Sequence, residues 1–189
     1  MLVMTHQYQD LITIFNQTFY KKYNTKLELG GDEPIYLPFD ESTPYHRIIF
    51  ARGFYASALH EISHWCVAGP KRRLLEDFGY WYEPDGRDEL TQKKFEQVEV
   101  RPQSYEWILS RSAGFAFNVS CDNLHGSFEP DRLAFQRRVQ QEVLTILEVG
   151  LPERVLRLSE ALRRFYSVPM LRPEHFSLPE DVALEVALN

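Results

Sequence analysis

The sequence predicts an α+β fold: a small mixed sheet packed with several helices, one of them carrying a His-Glu-x-x-His run. Three observations carry this. Short β-prone segments lie close together at residues 26–29, 35–37 and 47–51, separated by Gly30-Gly31, Pro34, Pro38 and Pro44. Most of the remaining chain places apolar residues at helical spacing. The strands also precede the long helices instead of alternating with them, which disfavours a doubly wound parallel sheet.

Leu11, Ile14, Phe15 and Phe19 form one apolar stripe, so residues 7–20 read as an amphipathic helix that Asn24 and Thr25 interrupt. After the three strands, the run 53–68 has no internal Gly or Pro once Gly53 has opened it, and Gly69-Pro70 stops it. Phe54, Ala58, Ile62 and Trp65 mark its apolar side. A short helix over 71–77 is expected next, then an extended aromatic run through Phe78-Gly79-Tyr80-Trp81-Tyr82 and a turn at Pro84-Asp85-Gly86. Residues 91–112 read as helix in two pieces, broken or kinked at Pro102, which has no N–H to donate and disfavours helix at Arg101. Residues 115–121 suit a strand or a loop. Phe135, Val139, Val143 and Ile146 define a helix over 131–149, and Val155, Leu158, Leu162 and Phe165 define a last one. The proline-bearing tail after Ser167 reads as irregular. One domain over residues 1–180 is expected, with 181–189 as a flexible C-terminal extension.

The chain has 189 residues, 44% of them hydrophobic, enough for a continuous core. Twenty-one basic residues face 27 acidic ones, a net charge of −6 that argues against broad phosphate binding. Lys71-Arg72-Arg73 and Arg137-Arg138 are local exceptions, read as solvated helix faces. No stretch is apolar enough for a membrane span, and no signal peptide is visible. With only Cys66 and Cys121, reduced thiols and a cytoplasmic location are expected. Cys66 reads as a core residue.

His60-Glu61-Ile62-Ser63-His64 carries the chemistry. On a helix, residues four apart are separated by about 6 Å of rise and roughly 40° of rotation, so both imidazoles reach one ion. A third protein ligand is needed, and no histidine follows at the metzincin spacing. His125 and His175 are distant. A carboxylate from the next long helix is the natural alternative, and Glu96, Glu99 and Glu106 are all candidates. Two histidines and a carboxylate serve both non-haem Fe(II) oxygenases and zinc hydrolases. In a hydrolase, a peptidase or ribonuclease, Glu61 would activate a metal-bound water. A non-catalytic binding protein is the third reading.

Longer strings narrow the choice. The run from Gly53 to Cys66 resembles the metal helix of the elongation factor P hydroxylase family. So do Asp77-Phe-Gly-Tyr-Trp-Tyr-Glu-Pro-Asp-Gly-Arg, Phe95-Glu-Gln-Val-Glu-Val-Arg-Pro-Gln and Phe117-Asn-Val-Ser-Cys-Asp-Asn-Leu. Asp32-Glu-Pro-Ile-Tyr-Leu-Pro and Phe128-Glu-Pro-Asp-Arg fit as well, and the likeness spans residues 7 to 180. The resemblance implies a cytoplasmic bacterial enzyme that hydroxylates the β-lysylated lysine of translation elongation factor P. Its fold would be like that of a metal-dependent ribonuclease. It implies His60, His64 and Glu99 as ligands of Fe(II) or another divalent metal, with O₂ as co-substrate. Glu61 is left as an acid–base residue or a support to the ligands. Acidic Asp85, Asp88 and Glu89 would draw in the cationic substrate arm.

Overall fold

The computed structural model describes residues 5–79, 86–121, 123 and 125–178. The Tyr80-Trp81-Tyr82 run, Asp85 and the extension over 181–189 lie outside them.

Helix α1 (Tyr8–Tyr23) buries Leu11, Ile14, Phe15 and Phe19, the predicted stripe, and ends on Asn24 in the left-handed region. The chain then enters β1 (Thr25–Leu29), β2 (Ile35–Leu37) and β3 (His46–Phe50). β3 is central, parallel to β1 and antiparallel to β2, with Leu27 and Tyr36 both opposite Ile48. Leu27, Tyr36 and Ile48 are buried, so one face of this small mixed sheet feeds the core.

β3 leads into α2 (Tyr55–Val67). Phe54, expected on its apolar stripe, is 61% exposed and stands at the N-cap, while Leu59 takes the buried position. The expected helix over 71–77 is instead two 3₁₀ turns, Arg72–Leu74 and Glu76–Gly79, with Leu75 extended between them. Hydrogen bonds to β2 explain the break: Tyr36 donates its hydroxyl to the Arg73 carbonyl (2.8 Å) and its N–H to Asp77 Oδ1 (3.2 Å). Phe78 and Gly79 belong to the second turn, not to an extended strand.

Of the break or kink expected at Pro102 the break is absent: helix α3 (Glu89–Ala113) is continuous through the proline. A proline inside a helix costs about 3 kcal/mol. Trp107, Ile108 and Leu109 follow within two turns and are buried. Each contributes on the order of 1.5–3 kcal/mol. Because α3 packs against α2, α4 and α5, tertiary contact outweighs the proline.

Residues 115–121 form irregular chain. Helix α4 (Arg132–Val149) starts where Asp131 accepts from Ala134 N–H at 2.9 Å, and buries all four predicted residues. Helix α5 (Glu153–Tyr166) buries Val155, Leu158 and Leu162, but Tyr166 rather than Phe165, which is 52% exposed. A 3₁₀ turn at Pro173–Phe176 tucks Phe176 and Leu178 into the core. No helix among the described residues is long and apolar enough to cross a membrane.

Candidate metal centre

The turn before α2 is tightly constrained. Gly53 has φ +71°, and a Cβ there would meet the Tyr8 ring at 3.0 Å, so glycine lets α1 close on the turn. Behind α2, Ala58, Leu59, Ile62 and Trp65 are fully buried. The Trp65 indole sits among Phe15, Phe19 and Tyr23, at ring-centroid distances of 5.3, 4.9 and 5.5 Å. The Arg154 guanidinium lies 4.7 Å from its ring centroid. Arg154 also donates to the carbonyls of Trp65 (2.7 Å), Cys66 (3.1 Å) and Ala68 (2.8 Å). Arg73 donates to Ala68 as well, at 2.7 Å, so it is a helix clamp and not part of a solvated basic face. The last carbonyls of a helix lack partners and carry partial negative charge, which cations satisfy. These contacts hold α2 at its back and its C-terminal end.

Its other side faces a polar stripe on α3. Gln92, Glu96, Glu99, Gln103 and Glu106 follow one another at steps of three and four residues, and all are buried. The three candidate carboxylates therefore share a helix face and separate only by their partners. Glu96 accepts from Gln92 Nε2 at 2.9 Å and pairs with Arg138, another arginine that is not simply solvated. Glu106 accepts from His60 Nδ1 at 2.8 Å, on the ring edge opposite Nε2. Glu99 faces both Nε2 atoms.

His60, His64 and Glu99 each offer one ligand atom within 4.8 Å of the others. The two Nε2 atoms are 3.2 Å apart, and His64 Nε2 lies 3.2 Å from Glu99 Oε1. His60 Nε2 lies 3.9 Å from Glu99 Oε2. Ligands held about 2.1 Å from one ion at ordinary angles stand roughly 3.0–3.4 Å apart. Glu99 is also buried, with His64 Nε2 as the close polar neighbour of its Oε1. A buried carboxylate is costly unless something cationic meets it. The donor set thus suits a divalent ion.

The charges agree. Burial alone would raise the Glu99 carboxyl, but His64 and His60, with the Gln103 amide, hold it down to about 2. Burial works against charge on His60, yet Glu106 first, then Glu99 and Glu61, push its imidazole up to about 10. Glu61 is raised by burial, a shift that His60 and His64 oppose, so its carboxyl lies within electrostatic reach of the centre.

Of the acidic residues expected to attract substrate, Asp88 caps α3 by accepting from Thr91 N–H at 2.8 Å. Glu89 pairs with Lys93 at 2.6 Å. His175 serves a 3₁₀ turn, accepting from Arg172 N–H at 3.1 Å. Sequence reading overlooked Gln103 and Arg154. A buried polar stripe at helical spacing was the available signal for the first; nothing local marks the second.

The family model described as elongation factor P hydroxylase matches residues 14–176. The chain belongs to the elongation factor P hydroxylase family. A relative from Haemophilus influenzae, named elongation factor P lysine hydroxylase, is 57% identical over 164 residues, 87% of this chain and 92% of that one. The matched span includes every residue of the candidate centre: His60, Glu61, His64, Glu99, Gln103 and Glu106.

Proposed function

We propose that this chain hydroxylates the β-lysylated lysine of translation elongation factor P in the cytoplasm, at a non-haem metal centre held by His60, His64 and Glu99. The buried Glu99 carboxylate beside two imidazole Nε2 atoms, all within reach of one ion, carries the metal assignment. The relative's name supplies the substrate class. Fe(II) is the ion of choice, because with O₂ as co-substrate it supplies the oxidising power that an unactivated carbon requires.

The protein groups have separate tasks. Glu106 accepts a hydrogen bond from His60 Nδ1–H and so leaves the Nε2 lone pair for the centre. Glu61 holds a proton beside the ligands or meets the lysine ammonium. One hydrophobic cluster among the described residues supports a single working domain over residues 1–180. The histidine-bearing helix beside a small mixed sheet supports reading the fold as like that of a metal-dependent ribonuclease.

Protein purified without oxygen, loaded with Fe(II) and given a reductant, O₂ and β-lysylated factor should add one oxygen to that factor by intact mass. Turnover that needs Zn(II) and ignores oxygen would establish a hydrolase instead.

A further inference from the structure

Gln103 is fully buried one turn beyond Glu99, and the reaction gives it no role. Its Nε2 donates to Glu99 Oε2 at 3.2 Å and to the Ser120 carbonyl at 2.7 Å. Its Oε1 accepts from Ser120 N–H at 2.9 Å. A primary amide has two N–H donors and one carbonyl acceptor, so both donors and the acceptor are engaged. The reverse amide orientation would set Oε1 against a carboxylate and a carbonyl and Nε2 against an N–H. Only one orientation is therefore tolerated. Ser120 lies in the irregular segment 115–121, which is not part of the sheet. Its two bonds to Gln103 stand in for a ladder.

We propose that Gln103 is a positioning residue that couples the metal centre to segment 115–121. By holding Glu99 through Oε2 it presents Oε1 to the ion, and ion binding in turn orders the backbone at Ser120. The proposal rests on the metal reading of His60, His64 and Glu99. Coupling between two events is reciprocal: whatever factor the Ser120 contact adds to ion affinity, ion binding adds to the stability of that contact. Hydrogen-bonded supports of metal ligands are typically worth about 10–100-fold in affinity.

The test uses the full chain, Zn(II) and Co(II). Competition with a chromogenic chelator gives affinities for wild type, Gln103→Met and Gln103→Glu, and the Co(II) d–d bands report ligand geometry. Both variants are expected to bind about 10–100-fold more weakly, with altered bands. Zn(II) should slow exchange of the wild-type Ser120 amide by a factor of the same order, and leave it unchanged in Gln103→Met. Wild-type affinity and bands in a variant with lowered thermal stability would overturn the proposal, since a purely structural role predicts that pattern. Ser120 exchange indifferent to Zn(II) in wild type would overturn it too, and that measurement decides even if the variants do not fold. Wild type that binds neither ion would overturn the metal reading itself and Gln103's role with it; loss confined to the variants would not.

Discussion

Ion binding at this centre should displace a proton, and the size of the effect can be worked from the charges around His60. In the apo protein, Glu106, Glu99 and Glu61 hold the His60 imidazole up to about 10, against the opposing pull of burial. A metal ligand must be neutral imidazole, so Nε2 gives up its proton on binding. Glu99, held at about 2, is already ionised and contributes none. Between pH 9 and pH 7, affinity for Zn(II) is therefore expected to fall about tenfold per pH unit, roughly a hundredfold or about 2.7 kcal/mol in all. Calorimetric titration at pH 7 in two buffers of different ionisation enthalpy should give about one proton released per ion. Glu106→Gln removes the largest attraction holding that proton, so the pH dependence should flatten toward pH 9. Affinity that is constant from pH 7 to 9, with no buffer-dependent heat, would refute the assignment of His60 as a protonated ligand.

Other consequences concern the frame around the site. Leu59 is fully buried behind the metal helix, so Leu59→Ala should cost about 2–5 kcal/mol and lower the melting temperature by roughly 2–4 °C per kcal/mol. A shift under about 2 °C in scanning calorimetry would contradict that packing. Arg154→Met removes three bonds to the end of α2. Each hydrogen bond to a charged group contributes about 1.5–3 kcal/mol, and the loosened helix end should also weaken Zn(II) binding. Glu99 has its carboxyl lowered on folding, so its stabilising contribution is complete above about pH 4.5 and disappears as pH falls toward 2. Urea unfolding of the apo protein between pH 5 and pH 2 should show that loss, and Glu99→Gln should remove it.

Elements governed by local pattern were readable in advance. The α1 stripe, the three strands and the Asp131-capped α4 each rest on spacing or a terminal residue. Pro102 misled because its local cost is real while the burial that overrides it comes from three other helices. Phe54 and Phe165 sit at helix ends, where helical spacing alone does not say which residue of the end turn is buried. The third ligand was ambiguous for a related reason. Glu96, Glu99 and Glu106 occupy one face at helical steps, so spacing treats them alike. Only Arg138, the His60 Nδ1 edge and the pair of Nε2 atoms tell them apart.

The two cysteines give the protein a built-in gauge. Both thiols are buried, and burial pushes Cys66 up to about 12, so the folded chain offers no reactive thiolate there. Alkylation at Cys66 must wait for α2 to open. Because Cys66 is two residues beyond His64, its labelling rate reads out how often the metal helix itself unlocks, and how far a bound ion slows that event.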